Sequence, residues 1–195
     1  MTWSRVPDYR RFLVPGGTHF FTVVTYQRQP LFADQENIQR LRMAIFAVQR
    51  EAPFRFLAGV VLPDHMHFLW SLPAGDSDYS SRLGRIKARF KPRDTTGPAS
   101  RIPSSRQKHC ERTIWQRRFW EHTIFDEDEL GAFLDYIHYN PVKHGLATCP
   151  HAWPASSFRR WVAAGYYEAE WGCMCKPGTP TVTLPPIDHI TGEPQ

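Results

Sequence analysis

No apolar run in this sequence is long enough to cross a membrane; the longest, such as residues 57–62, are strand-sized. The amino-terminal stretch carries Arg5, Asp8, Arg10 and Arg11 without an apolar core, so no secretory leader is expected. Cysteine is scarce. Cys110, Cys149, Cys173 and Cys175 show neither Cys-x-x-Cys ligand pairs nor a disulfide framework, and read as reduced thiols of a cytoplasmic protein. No internal repeat is present, which excludes solenoid and propeller architectures. Acidic residues nearly vanish from residues 82–120, where twelve Lys and Arg face only Asp94 and Glu111, a local excess of +10.

What is there fits one core and an anionic partner. The 195 residues are 42% hydrophobic and 14% aromatic, enough for a single substantial domain. The net charge of +5 and a pI near 9.2 favour nucleic acid. Phe90, Trp115, Phe119 and Trp120 are interleaved with the basic segment, and cations that track a backbone beside aromatics that stack on bases suit single strands.

Residues 18–26 (THFFTVVTY) follow the turn signal Pro15-Gly16-Gly17 and predict a first strand. Asp34 caps a helix whose apolar positions Ile38, Leu41, Ile45 and Val48 recur at helical spacing until Pro53. Residues 54–62 and 65–72 are two strands joined too closely, at Pro63-Asp64, for anything but a hairpin. A basic helix is predicted from Ser80 to Lys91, stopped by Pro92, with a loop over 93–107 and a fourth strand over 113–125. A third helix begins among Asp126, Glu127, Asp128 and Glu129, with Leu130, Phe133, Leu134 and Ile137 as its apolar stripe. This order predicts an α+β fold, a ferredoxin-like split βαβ sandwich with an antiparallel sheet, helices mainly on one face and the other face open. The expected domain spans 1–172. Residues 173–195, rich in proline, form an irregular tail.

Two pairs carry chemistry. His65 and His67 alternate with Met66 on a strand, so both imidazoles leave one face and can converge on an ion, or else sit as ordinary histidines on a solvated face. Tyr136 and Asn140 stand four residues apart on one helical face, about 80 to 120° from the centre of the apolar stripe, which places the tyrosine on the helix flank, with its hydroxyl reaching a site or its ring covering the core edge. Asn140 precedes Pro141, so it is a ligand, the N-cap of a short helix ended by Gly145, or both.

The segments RRFLVPGGTHFFTVVTYQRQPLF, VVLPDHMHFLW, IWQRRFWEHTI and YIHYNPVKHGL, in this order, resemble the single-tyrosine HUH transposases, and within them the REP-associated tyrosine transposases. The resemblance spans roughly residues 8 to 172. It implies metal ligation by His65 and His67 with Asn140 as the third ligand, and Tyr136 as the nucleophile. It also implies a 5′-phosphotyrosine link with a free 3′-hydroxyl, on single-stranded or hairpin DNA, by a protein expected to be monomeric. Two imidazoles and an amide oxygen suit Mg²⁺ or Mn²⁺. The candidate DNA contacts are Arg11, Arg82, Arg85, Lys87, Arg89, Trp115, Arg117, Arg118 and Lys143, while Asp64, His122, His138 and His144 are polar neighbours of the motifs. Two other readings stay open at this point. One is an RNA-binding module with stacking aromatics on its central strands, and the other a metal-dependent hydrolase that uses water.

Overall fold

The computed structural model describes residues 13–93 and 114–175, together with Val182, Leu184 and Ile187. Arg11 lies outside them. The elements are β1 (Thr18–Val24), α1 (Gln35–Glu51), β2 (Arg55–Val61), β3 (His65–Ser71), α2 (Tyr79–Arg89), β4 (Trp120–Ile124), α3 (Glu127–Lys143) and α4 (Phe158–Ala163). The sheet order is β2-β3-β1-β4, with every neighbouring pair antiparallel. This is the expected split βαβ arrangement: β3 is inserted between β1 and β2, and α1 crosses over to join them.

Local chemistry sets most boundaries where the sequence put them. The carboxylate of Asp34 accepts from the Glu36 amide at 2.9 Å, that of Asp78 from Ser81 at 3.0 Å, and that of Asp126 from Glu129 at 2.8 Å. Each satisfies an amide that the first helical turn leaves unbonded. Leu62 donates to the His65 carbonyl at 2.8 Å and closes the β2–β3 hairpin. The fourth strand is shorter than expected. Its amino-terminal part leaves the sheet after a single bridge between Trp115 and Thr25, and regular pairing with β1 begins only at Trp120.

One expectation is corrected: the second face of the sheet is not open. Helices α1 and α2 pack on the face made by Phe21, Val23, Met66, Phe68 and Trp70. On the opposite face Phe133, Leu134, Tyr136 and Ile137 of α3 close over Phe20, Ala58, Val60, Leu62 and Leu69. Central strands covered on both sides read as nearly continuous apolar runs, and HFFTVV and HMHFLW have that character. Ile187 is buried in this second core and Leu184 packs against it.

A second correction concerns α3. It runs without a break through Pro141 to Lys143, so Asn140 is not the N-cap of a separate helix. Pro141 has no amide for the Ile137 carbonyl, a loss the buried neighbours Tyr139 and Val142 offset by packing. The helix ends where Leu146 donates to the Pro141 carbonyl at 2.8 Å and Gly145 to Val142 at 2.9 Å. Gly145 takes the positive φ of 66° that such a termination needs.

Two buried histidines carry a pH signature. His138 contacts Ser157 Oγ at 2.8 Å and the Tyr167 hydroxyl at 3.2 Å, and Tyr167 in turn donates to Asp135 at 2.8 Å. Burial, aided by the charge of Arg160, pushes the His138 pKa down to about 3, and burial alone takes His19 to about 4. Both stay neutral in the fold but protonate in the unfolded chain near 6.5, so stability is full above that value and declines as pH falls below it. Unfolding in urea is expected to show a loss of about 2 to 4 kcal/mol between pH 7 and pH 5. Equal midpoints at the two values would contradict the neutral burial of these rings.

Candidate active site

Strand register gathers the predicted histidines with residues that lie far apart in sequence. Across the sheet, Thr22 of β1 faces both His67 of β3 and Trp120 of β4, while Val24 faces His65. His65 and His67 are both buried, with ring centroids 5.1 Å apart, and Met66 points into the other core as expected.

Each imidazole is held by its Nδ1. The Nδ1 of His67 lies 2.9 Å from Thr22 Oγ1, and that of His65 lies 2.6 Å from an Asp64 carboxylate oxygen. Arg28 grips the other Asp64 oxygen at 2.7 Å. Partial burial pushes the Asp64 pKa up, but the hydrogen bonds and charges of His65 and Arg28 outweigh it and hold the group below the usual carboxylate range. An ionised Asp64 only accepts, so the His65 Nδ1 carries the proton and Nε2 is the nitrogen that could ligate an ion. Gln27 and Arg28, with φ of 53° and 51°, adopt the left-handed conformation that side chains resist. That turn lets Arg28 reach Asp64, and the Asp64 carbonyl in turn accepts from the amide and hydroxyl of Thr25.

Helix α3, with its C-cap residue His144, runs along this pair. Tyr136 is fully buried, its ring edge-on to His67 at 5.4 Å and to Phe20 at 6.1 Å. Two turns later the His144 ring stands 5.6 Å from that of His65. Asn140 is fully buried midway between them, and positions 136, 140 and 144 share one helical face. The helix therefore runs past the histidines with Asn140 between its two contacts. Lys143 puts its ammonium 4.7 Å from the centre of the Tyr136 ring, a cation above an aromatic face.

The donor set fits a hard or borderline divalent ion. Two imidazoles oriented through Nδ1 by a hydroxyl and a carboxylate have the outer support that metal-ligating histidines usually show. Among the described residues, no third His, Cys, Asp or Glu closes on them within 4.8 Å. Asn140, whose amide oxygen is a donor of another type, is fully buried on the helix that carries Tyr136.

Several DNA-contact expectations change. Arg82 is buried and committed: its guanidinium donates to Asp76 and to the carbonyls of Ala52, Pro53 and Asp78. It ties α2 to the turn between α1 and β2 and cannot reach DNA. Trp115 is walled into the first core against Phe32 and Phe90, and its indole donates to the Lys87 carbonyl, so no base can stack on it. Lys87 donates to Gln116 at 2.6 Å and Arg89 pairs with Glu51 at 2.8 Å. Arg85, Arg117 and Arg118 are exposed. Gln116 bonds to the Val24 carbonyl, so Arg117 and Arg118 lie at the His65 end of the sheet.

Trp120, not Trp115, is the tryptophan of this segment that reaches the surface. It is 37% exposed and aligned with Thr22 and His67, two strands from the metal-ligand candidates. Nothing in the local sequence separates it from Trp115; only the register does. His122 and His138 are structural. The first bonds to Glu129 at 2.6 Å and stacks on Phe133, and the second belongs to the Tyr167 network. The RNA-binding reading fails here, because it needs an open sheet with aromatics on the central strands.

A family profile described as "Transposase IS200 like" matches residues 17–140, from the first strand to Asn140. The chain belongs to the IS200-like transposase family. This transposase is 43% identical over 166 residues to the REP-associated tyrosine transposase of Escherichia coli K12, covering 84% of this chain and 90% of that protein. It is 41% identical over 165 residues to a Haemophilus influenzae Rd protein of the same family name, covering 85% and 93%. It also resembles a solved REP-associated tyrosine transposase bound to a REP hairpin, with a TM-score of 0.70 and 42% identity over 85% of this chain and 91% of that one. The transposase is thus an enzyme of the REP-associated tyrosine class. No helix among its described residues is long and apolar enough to cross a membrane.

Proposed function

We propose that residues 1–172 form one catalytic domain that cleaves and rejoins single-stranded DNA beside a palindromic hairpin, with Tyr136 as the covalent nucleophile. The supporting observation is the meeting of Tyr136 with His67 while His65 and Asn140 lie alongside. That the homologous solved transposase carries a REP hairpin supports hairpin DNA as the partner.

The bond changes balance without an external energy source. The Tyr136 hydroxyl oxygen attacks the scissile phosphorus, a Tyr–O–P bond forms, the P–O3′ bond breaks, and the departing 3′ oxygen takes up a proton. The phenol proton passes to solvent. A 3′-hydroxyl can later attack the phosphotyrosine and release the tyrosine. An unperturbed phenol ionises only near pH 10, so the reaction needs positive charge close by, and Lys143 above the ring supplies some of it.

Transposases of this class work with a divalent metal, and we assign its ligands here to His65, His67 and Asn140. When bound, Mg²⁺ or Mn²⁺ would offset charge on the phosphate oxygens. Thr22, Asp64 and Arg28 keep the imidazoles in place for that task. Arg85, Arg117, Arg118 and Lys143 would track phosphates, and Trp120 offers a stacking surface at the same end of the sheet.

The test uses one hairpin oligonucleotide with a single-stranded flank, labelled at either end, incubated with Mn²⁺ and resolved under denaturing conditions. A downstream fragment linked to the protein through its 5′-phosphate, and an upstream fragment released with a free 3′-hydroxyl, are expected from a fixed position beside the stem, with little cutting of the same sequence as full duplex. Cleavage without a covalent complex would favour the hydrolase that uses water. Equal cutting of hairpin and duplex would overturn the assigned substrate.

A further inference from the structure

A second group of metal-binding side chains gathers beyond α3, away from the residues assigned to DNA cleavage. Cys149 opens the short turn Pro150–Ala152, which contains His151, and Cys173 and Cys175 follow Gly172. The two stretches present Cys-x-His and Cys-x-Cys, a pattern that pairwise Cys-x-x-Cys spacing does not capture. The three sulfurs all lie within 4.8 Å of one another, with Cys149 Sγ 3.2 Å from Cys175 Sγ. His151 Nδ1 stands 3.5 Å from Cys173 Sγ and 3.2 Å from the Ala169 carbonyl.

The backbone is built to bring these stretches together. Met174 donates to the Thr148 carbonyl at 2.8 Å, linking the strands that carry the ligands. Gly172 has a φ of 67°, and a β-carbon there would lie 3.0 Å from the Tyr139 ring and 3.2 Å from Pro150, so only glycine lets the segment approach so closely. Cys149 and Cys173 are buried and Cys175 is at the surface. Sulfurs bound to one tetrahedral zinc at about 2.3 Å stand about 3.8 Å apart, within the range observed.

We propose that Cys149, His151, Cys173 and Cys175 form a structural zinc site. Three soft thiolates and an imidazole are the donor set zinc prefers when it is held without an open position. On binding, the three thiols release their protons and His151 gives up its Ala169 contact to ligate through Nδ1. The site fastens residues 173–175 to the segment that follows the Tyr136 helix. It stands independently of the reaction assigned to Tyr136.

The test is elemental analysis of the full chain, purified under reducing conditions without added metal. About one zinc per chain is expected in the wild type and in the His65→Ala/His67→Ala double variant, with loss of that zinc in Cys149→Ser and Cys175→Ser. Since Cys175 is exposed, its variant should fold, as circular dichroism would check. Cobalt in place of zinc should give thiolate charge-transfer bands and the visible bands of a tetrahedral ion, the latter altered by His151→Ala. Chelation should lower the melting temperature and zinc should restore it. The proposal fails if the wild type lacks zinc, if Cys175→Ser retains it, or if the zinc follows His65 and His67. It also fails if the intact mass shows Cys149 and Cys175 oxidised to a disulfide, and an unchanged cobalt spectrum in His151→Ala would remove the histidine from the ligand set.

Discussion

Tyr136→Phe is expected to abolish strand cleavage and the covalent adduct, a loss of about 10⁴-fold or more, while hairpin affinity stays within a few fold. The substitution removes one hydroxyl and keeps the ring, so the edge contacts with His67 and Phe20 and the cation of Lys143 over its face all remain. Folding is therefore preserved, and the lost function is that of the oxygen alone. The measurement pairs a denaturing gel for cleavage with a binding titration on the same hairpin. Cleavage at the wild-type rate would show that the attacking oxygen comes from elsewhere, and loss of binding together with cleavage would show that the hydroxyl supports the fold or the DNA interface rather than the chemistry.

His67→Ala should come close to that effect by a different route. Its imidazole is the centre of the array, bonded to Thr22, beside His65 and in contact with Tyr136. Removing it deprives the phosphate of several kcal/mol of charge stabilisation, about 10³-fold in rate. His65→Ala should behave alike. Thr22→Val, which loosens His67 without deleting it, should weaken the metal requirement's midpoint by about 10- to 100-fold and be rescued by more Mn²⁺. The check is a titration of cleavage against Mn²⁺ and Mg²⁺ in each variant, with hairpin binding as the control for folding. Wild-type cleavage that persists in excess EDTA would refute metal assistance altogether.

The order of strands and helices along the chain was legible because its signals are local: β-branched runs, the Asp34 cap and prolines act within a few residues, while the Asp78 cap was not foreseen. What was not legible depends on tertiary partners. Arg82 and Arg85 look alike on a basic helix, yet Arg82 is buried because packing delivers Asp76 and three carbonyls to it. Trp115 and Trp120 flank the same arginines, and only the pairing of β4 with β1 decides which of them is walled in. Asn140-Pro141 carries a good local signal for a new helix start, but burial of the residues around it keeps α3 continuous. Thr22 gave no sign of importance, since its partnership with His67 exists only across the sheet. The cysteines likewise came together through backbone that a spacing rule does not see.

The closure of α3 over the sheet changes how selectivity should be understood. A nucleophile on an open sheet would be offered to any nucleic acid that could lie flat on it. Here Tyr136 and the two histidines are buried between the sheet and α3, with the exposed Lys143 and His144 against them at the end of that helix. On the proposed reaction, DNA would have to reach Tyr136 from that end. A lone unstacked strand would bring a phosphate toward Tyr136 from there more readily than the broader paired helix, which the exposed arginines would hold outside. Discrimination against duplex would then arise from the shape of the opening, before any base is read.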